Sequence, residues 1–316
     1  MYCLITNDVE TTSILHHQLR DETGRVVLEQ GMPRLLDLYE RYGVKATFFF
    51  TGHIARLYPE VVRMAQARGH EVGSHGLTHE VAKAFDVLSR GEQLQHLRES
   101  KKILEDITGE AVVSFRAPAA RVGKEIPALL REAGYEIDSS VASQRLDMFF
   151  SFGSWNKLHW LTAPRHAYFA QDDNIFRRSE KPEGLFEIPI SAFGFPYIGT
   201  FMRIAPGLNR LTRWLLYAES RCNDRQFVFL THPNEFIDEE QPSDHSVRHS
   251  GLQAAFHVER RAKNFVGYLL GDVLRHQLKV KNLGAAGLPL LERELQFFEK
   301  KEIPFLTCKE LLAVSR

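Results

Sequence analysis

The sequence contains little cysteine and no cysteine pairing pattern. Its 316 residues include three cysteines, Cys3, Cys222 and Cys308, none of them in a CxxC spacing. An odd and scattered set argues against a disulfide framework and against a cysteine-based zinc site. We therefore expect a reducing compartment.

The sequence also lacks an excess of charge and any long apolar run. Forty basic residues balance forty acidic ones, so the basic excess typical of nucleic-acid partners is absent. No apolar run approaches the roughly 20 residues that span a bilayer. The first acid, Asp8, comes too early for the apolar region of a signal peptide. We expect a soluble, cytoplasmic protein with no membrane span and a small or neutral ligand.

What the sequence does have is an alternation of short apolar runs with helix-length amphipathic segments, which is typical of parallel α/β folds. Two helices are predicted, "GMPRLLDLYERYG" ending at Gly43, and a longer one with Ser89 as its cap and Gly109 as its stop. Seven or eight βα repeats indicate a TIM-like barrel. The candidate strands are "YCLIT", "KATFFF", "HEVGS", "VVSFRA", "YEIDSS", "LFEIPIS", "FVFLTH" and "PFLTC".

One segment interrupts this alternation. Residues 144–184 are rich in aromatic side chains and show no helix period. We predict a single domain over residues 1–316 with an irregular insertion at about 144–184. Such an insertion could form a binding wall, in which Trp155 stacks on a sugar ring, or it could pack a small core of its own.

Six chemically useful side chains follow the predicted strands. In a parallel α/β barrel the active site lies at the carboxyl ends of the strands, so we expect these side chains to share one rim. Each alone is equally consistent with an ordinary solvated loop. The six are Asp8, Glu10, His75, Arg116, Asp138 and His232.

The stretch "SHGLTH" places His75 and His79 four residues apart. If the chain turns helically there, both imidazoles face one side and form a platform for zinc that needs a third, oxygen ligand. Asp8 and Glu10, two apart at a strand end, point to one face and can supply it. One carboxylate would bind the metal and the other would take a proton from a water molecule; the residues leave open which does which.

Three further side chains could complete the chemistry. Arg116 could hold the base carboxylate and lower its pKa, or form an ordinary salt bridge. His232 and Asp138 could act together as a general acid, or each could be a hydrogen-bonded structural residue.

Taken in order, five stretches resemble the motifs of the NodB-homology polysaccharide deacetylases, carbohydrate esterase family four. They are "TNDVE", "HGLTH", "RAPA", "DSS" and "LTH", at residues 6–10, 75–79, 116–119, 138–140 and 230–232. The resemblance runs from Tyr2 to at least Phe236. The acidic cluster and "HPNEFIDE" also resemble a branch of the family associated with lipopolysaccharide or O-antigen biosynthesis.

The resemblance implies a distorted (β/α)7 barrel and a divalent metal, usually zinc. It makes His75 and His79 metal ligands, Arg116 the tether of the base, and His232 the acid that protonates the departing amine. It also implies that Asp138 tunes His232 and that the N–H of Ala119, after Pro118, helps to stabilise the oxyanion. We assign Asp8 as the base and Glu10 as the third ligand.

The sequence departs from the family pattern at three places. The usual consecutive aspartates are replaced by Asp8-Val9-Glu10, a frequent tyrosine by Ala119, and a frequent serine or threonine by Gly76. The wall of the sugar site that this tyrosine would form is therefore missing or is supplied by another part of the chain.

The resemblance favours a metal-dependent hydrolase that removes an acetyl or formyl group from an N-acylated amino sugar or saccharide. Two alternatives are a C–N hydrolase of a small cyclic amide on the same barrel and a non-catalytic saccharide-binding barrel. The sequence sets neither the sugar, its chain length nor the oligomeric state.

Overall fold

The computed structural model describes residues 1–146, 154–240 and 277–316 of the chain. The strands in these residues are β1 Cys3–Val9, β2 Thr12–Ser13, β3 Gln18–Leu19, β4 Thr47–Phe50, β5 Glu71–Ser74, β6 Ser114–Phe115, β7 Ile137–Asp138, β8 Tyr168–Gln171, β9 Asn174–Arg178, β10 Phe186–Glu187, β11 Ala192–Phe193, β12 Phe195–Pro196 and β13 Phe227–Thr231.

The helices lie between and after these strands. A π-helical turn, Val27–Gly31, joins the first two of them. The α-helices are α1 Asp21–Val26, α2 Met32–Arg41, α3 Gly52–Leu57, α4 Pro59–Ala67, α5 Arg90–Thr108, α6 Ile126–Glu132, α7 Gly199–Ile204, α8 Pro206–Asn223, α9 Leu288–Lys300 and α10 Cys308–Ser315. Short 3-10 helices occupy Val81–Lys83, Pro118–Ala120, Trp155–Leu161, Pro233–Phe236 and Gly284–Gly287.

Seven parallel strands build the main sheet, in the order β13, β1, β4, β5, β6, β7 and β10. Strands β8 and β9 extend it in antiparallel fashion beyond β10. After β10 the chain returns to the first strand of the order, because the N–H of Ser191 donates to the carbonyl of Val228 in β13 at 3.1 Å. The sheet therefore curls, and the predicted distorted seven-stranded α/β barrel is confirmed.

Alternate residues of the strands pack into two separate cores. Leu4, Phe49 and Val228 belong to one cluster, which α10 joins with Leu311. Phe48 belongs to a larger cluster between the sheet and the surrounding helices. Since successive side chains of a strand point to opposite faces, each strand contributes to both layers. Every residue of β1 is buried, as expected for a strand with neighbours on both edges and layers on both faces.

The helix signals in the sequence are confirmed for α5. Ser89 accepts a hydrogen bond from the N–H of Glu92, the Glu92 carboxylate accepts one from the N–H of Ser89, and Gly109 ends the helix with φ +69°. The predicted helix before Gly43 is also present as α2. It is preceded by α1 and the π-helical turn, which the sequence pattern did not indicate.

The last predicted strand, "PFLTC", is wrong. Phe305 forms a single bridge to Cys3, and Cys308 already begins α10. The reason is the register of the sheet: β4 starts opposite Thr6, so only the first residues of β1 are left on that side for Pro304–Leu306 to pair with.

The insertion predicted to be irregular contains regular structure in its described part. Residues 147–153 lie outside the described residues. Trp155–Leu161 form a 3-10 helix, and β8 and β9 form a hairpin that pairs with β10. These elements are too short to leave a clear period in the sequence. That residues 1–316 form a single domain stays a prediction.

Within the three described ranges, no helix has both the length and the apolar character that crossing a membrane requires.

Candidate active site

Four parallel strands deliver polar side chains to one end of the barrel. Asp8 lies near the end of β1 and Glu10 directly follows it, while His75, Arg116 and His232 directly follow β5, β6 and β13. Because parallel strands end on the same side, these residues converge, as the sequence predicts.

Glu10, His75 and His79 form a compact cluster. One ligand atom from each lies within 4.8 Å of the other two, and Nε2 of His79 is 3.2 Å from Oε2 of Glu10. The histidine rings are 5.6 Å apart. The segment from His75 to His79 is not helical, although the predicted histidine platform assumed a helical turn. Gly76, at φ +70°, turns the chain instead. A Cβ at Gly76 would lie 3.0 Å from the Phe85 ring, which explains the absence of serine or threonine.

This cluster fits a divalent metal ion. Nδ1 of His75 lies 2.8 Å from the carbonyl of Arg116, which can only accept, so Nδ1 carries the hydrogen and Nε2 the lone pair. Nε2 of His75 and Oε2 of Glu10 are buried without a hydrogen-bond partner. Burial also lowers the pKa of His75, which favours the neutral, ligating form. An ion would satisfy these two buried atoms, with His79 as the third ligand of the group.

Arg116 holds Asp8 from the other side. Its Nη1 donates to Oδ1 of Asp8 and to Oγ1 of Thr6, each at 2.9 Å. Its Nε and Nη2 donate to the carbonyl and the hydroxyl of Ser139 at 2.8 and 2.7 Å. The guanidinium also covers the ring of Phe49. These contacts fix the orientation of the Arg116 guanidinium, which can in turn fix the orientation of the Asp8 carboxylate.

Oδ2 of Asp8 faces two histidines. It lies 3.7 Å from Nε2 of His75 and 3.9 Å from Nε2 of His232. Burial alone would raise the pKa of Asp8, but Arg116, followed by His75 and His232, lowers it below its usual value. Asp8 is therefore ionised at neutral pH, and its free oxygen points at the space between the metal cluster and His232.

His232 is paired with Glu235, a residue that was not among the predicted site residues. Nδ1 of His232 lies 3.9 Å from Oε2 of Glu235, and the backbone N–H of His232 donates to the same oxygen at 3.2 Å. Burial lowers the pKa of His232, but Glu235, then Asp8 and Glu10, outweigh it and raise that pKa to about 9. The ring is therefore protonated at neutral pH.

Glu235 is in turn held by two other side chains. Nε and Nη2 of Arg203 donate to its Oε1 at 3.2 and 3.0 Å, and the hydroxyl of Thr200 donates at 2.7 Å. Burial would raise the pKa of Glu235, but Arg203 and His232 hold it at about 2. The spacing H-x-x-E after a strand resembles a capping box and is the sequence signal that could have revealed Glu235.

Asp138 makes its hydrogen bond to the segment that follows β7. The structure places Glu235 and Asp8 against His232, whereas Oδ1 of Asp138 accepts from the hydroxyl of Ser140 at 2.6 Å. The Ser140 oxygen accepts in turn from the N–H of Ala117 at 2.9 Å. Asp138 therefore supports the loop after β6, and its proposed influence on His232 stays a prediction.

Glu187 is a second carboxyl group beside Asp138. The two residues are paired across β10 and β7, both are fully buried, and Oδ2 of Asp138 and Oε2 of Glu187 have no hydrogen-bond partner. Burial raises the pKa of Asp138 to about 6 and that of Glu187 well above its usual value, which the neighbouring Asp138 raises further. A glutamate inside the apolar run "LFEIPIS" is the sequence signal for this pair.

The predicted oxyanion loop follows Arg116. Pro118 is buried, and Ala119 has a left-handed conformation with φ +53°. Trp155, predicted to contact substrate, begins the 3-10 helix Trp155–Leu161 and is 76% exposed. Lys157 of the same helix reaches Ala119, so this helix lies beside the loop.

Comparison with known proteins finds deacetylases among the proteins similar to this chain. The family model described as "Polysaccharide deacetylase" matches residues 21–137, which contain His75, His79 and Arg116. The resemblance to the polysaccharide deacetylases is confirmed. A peptidoglycan deacetylase of Helicobacter pylori is 31% identical to this chain over 134 residues, which are 42% of this chain and 45% of that protein. The chain covers less than half the length of the first curated deacetylases it matches.

Solved structures of this fold cover nearly the whole deacetylase-like chain. A probable polysaccharide deacetylase from Pseudomonas aeruginosa PAO1 aligns with a TM-score of 0.59 at 16% identity, over 99% of this chain and 89% of that one. Puue allantoinase aligns with the same TM-score, identity and coverage. At this identity the likeness concerns the fold alone.

Proposed function

We propose that this protein is a divalent-metal-dependent hydrolase that removes an N-acyl group, acetyl or formyl, from an amino sugar of a saccharide. One observation carries the proposal: the Glu10–His75–His79 cluster lies beside an ionised carboxylate, Asp8, which faces a protonated imidazole, His232. The family match over residues 21–137 supports the substrate class.

Glu10, His75 and His79 would hold the ion, and we propose zinc because two imidazoles and one carboxylate suit it. When bound, such an ion polarises an acyl oxygen and lowers the pKa of a water molecule. The cluster supplies three protein ligands, the number typical of catalytic zinc sites that keep a position open.

Asp8 takes the proton of the attacking water. Arg116 occupies Oδ1 of Asp8 and leaves Oδ2 free to act as the general base. The water oxygen bonds to the acyl carbon, and the negative charge that develops on the acyl oxygen is stabilised by the N–H of Ala119.

His232 completes the reaction as general acid. Its proton passes to the amide nitrogen as the C–N bond breaks, so the amine leaves neutral and the acid product keeps the water oxygen. Glu235 keeps that proton on the ring. Trp155, exposed beside the loop, is proposed to contact the sugar and to supply the wall that Ala119 does not.

The test is release of acetate or formate by the zinc-supplied protein from N-acyl nucleotide-sugars, N-acetylglucosamine oligosaccharides and peptidoglycan fragments. We expect release from at least one saccharide. A folded, metal-loaded protein that released no acyl group from any of them would contradict the proposal. Including allantoin tests the cyclic-amide alternative, and binding without turnover would favour the non-catalytic barrel. The cytoplasmic location and a role in surface polysaccharide biosynthesis stay predictions.

A further inference from the structure

Lys157 is buried against the loop that follows β6. The residue is only 4% exposed, and its Nζ donates to the carbonyl of Ala119 at 2.9 Å. The same Nζ lies 5.1 Å from the centre of the Trp160 ring. Lysine is almost never buried unless specific partners replace the water around its ammonium group. One partner of Lys157 is a main-chain carbonyl of the predicted oxyanion loop, 38 residues away in sequence.

The loop it contacts has an unfavourable backbone conformation. Ala119 and the next residue, Ala120, have φ of +53° and +52°, in the left-handed region that residues with a Cβ seldom adopt. Such conformations persist only where surrounding contacts impose them, and they cluster at functional sites. Two backbone hydrogen bonds within the loop, from Ala120 to Ala117 and from Arg121 to Pro118, do not involve either polar group of Ala119.

We propose that Lys157 is a positioning residue that holds Ala119 in its left-handed conformation and so directs the Ala119 N–H at the acyl oxygen in the transition state. The inference rests on the proposed function, in which that N–H stabilises the oxyanion. The carbonyl that Lys157 binds and the N–H lie on either side of the same α-carbon. Fixing the carbonyl therefore limits rotation about the bonds that set where the N–H points.

The insertion gains a defined role from this contact. Lys157 lies two residues after Trp155, so the same 3-10 helix that holds the loop also presents an exposed aromatic ring beside it. Oxyanion donors are effective when they are oriented before the reaction, and a rigid anchor supplies that orientation.

The chain offers a closely matched control. Lys101 is also partly buried, its Nζ also donates to a main-chain carbonyl, that of Val112, and it lies 5.2 Å from the ring of Tyr135. Lys101 belongs to α5, and its partner Val112 precedes β6 whereas Ala119 follows it, so the two contacts lie at opposite ends of that strand. Lys101→Met therefore removes a contact to a main-chain carbonyl, together with an ion pair to Glu105 at 2.9 Å, without touching the loop.

The kinetic test compares Lys157→Met, Lys157→Arg and Lys101→Met, loaded with zinc and assayed on an N-acetylglucosamine pentasaccharide. Loss of one oxyanion donor costs about 10²–10³ in kcat in other enzymes. We expect kcat of Lys157→Met to fall by at least about 10-fold with KM within about 3-fold and zinc content unchanged, and Lys157→Arg to recover most of it. A kcat for Lys157→Met equal to that of Lys101→Met would overturn the proposal.

A second measurement does not depend on activity. Hydrogen exchange of the amides of Ala119 and Ala120, followed by NMR on alanine-labelled protein, should accelerate in Lys157→Met and not in Lys101→Met. Unchanged exchange would overturn the role of Lys157 even in an active enzyme. Faster exchange in Lys157→Met, together with a wild-type protein that hydrolyses no substrate, would support the contact of Lys157 with the loop and contradict the proposed function instead. If Lys157→Met does not fold, Lys157→Gln is a milder substitution. Amide exchange in Lys157→Gln at the wild-type rate would overturn the proposal.

Discussion

Nη1 of Arg116 donates to Oδ1 of Asp8 at 2.9 Å, which leaves Oδ2 of the same carboxylate facing the metal cluster and His232. One oxygen is used for orientation and the other is left for chemistry. The orienting role of Oδ1 and the chemical role of Oδ2 can therefore be tested with separate variants.

Removing Arg116 should destabilise the fold. Arg116→Met leaves the buried charge of Asp8 unpaired, and breaking a buried ion pair costs about 3–5 kcal/mol. Urea unfolding of the metal-free protein measures the loss. Arg90→Met, which breaks the exposed pair with Glu132, is the control and should cost about 0–1 kcal/mol. Equal losses of unfolding free energy in the two variants would mean that the Arg116–Asp8 contact stabilises the fold no more than the exposed pair does.

The metal should depend on the cluster. We expect about one divalent ion per chain in zinc-supplied protein, measured by elemental analysis. His75→Ala, His79→Ala and Glu10→Gln should each weaken metal binding by more than about 100-fold, because even residues that only orient ligands account for 10–100-fold. His53→Ala, which removes an exposed histidine paired with Asp21, should keep the ion. Retention of the ion by both cluster histidine variants would place the metal elsewhere.

Asp8→Asn should separate metal binding from turnover. The amide oxygen can still accept from Arg116, but the side chain no longer takes a proton, so kcat should fall by about 10²–10⁴ while the ion stays bound. Metal content and kcat are measured on the same preparation. Loss of the ion here, with retention in Glu10→Gln, would reverse the roles assigned to the two carboxylates.

Glu235→Gln should move the pH dependence of kcat/KM. Because Glu235 raises the pKa of His232 to about 9, the acid form persists to high pH and activity falls only as pH rises through that value. Without this carboxylate the pKa falls, so the alkaline limb should shift to lower pH by about 1–2 pH units. Asp238→Asn, in an exposed pair with Arg34, is the control and should leave the limb in place. An unmoved limb in Glu235→Gln would show that Glu235 does not control His232.

Glu187→Gln should flatten the dependence of stability on pH. The raised pKa values of Asp138, about 6, and of Glu187 mean that these groups favour folding while protonated and lose that contribution as pH rises through their folded-state pKa. A glutamine keeps the bond from the Val141 N–H and can donate to Oδ2 of Asp138. The drop in unfolding free energy between pH 5 and pH 8 should shrink by about 1 kcal/mol or more.

The control for this measurement is Glu136→Gln. Glu136 is half-exposed and paired with Arg316, so its substitution should leave the pH profile of unfolding as in the wild type. Identical profiles for Glu187→Gln and wild type would contradict a proton held by the Asp138–Glu187 pair.

Much of the barrel could be predicted from the sequence, because parallel strands with helices on their outer face leave long apolar runs and clear caps. Ser89 and Gly109 bounded α5 for this reason. The clustering of His75, Arg116 and His232 followed from a general rule about strand ends. "PFLTC" failed because it is apolar without a free strand edge to pair with, and local pattern does not report which edges are taken.

The partners within the site were harder to predict. Asp138 was the predicted partner of His232, whereas the carboxylate of Glu235, three residues after His232, lies 3.9 Å from its ring. Lys157 was missed because a lysine in a loop is usually solvated and only the tertiary packing buries it.

Arg203 also binds two main-chain carbonyls, those of Lys279 and Lys281, at 2.8 Å each, while it holds Glu235. Two carbonyls in the C-terminal part of the chain thereby hold Arg203, which holds Glu235 beside His232. Every residue type has such a carbonyl. Substitutions at 279 and 281 should therefore leave these two bonds to Arg203 in place, whereas a deletion that shifts the path of this segment should break them and impair proton donation by His232. A segment that accepts substitutions but not deletions would differ from an ordinary surface loop, which accepts both.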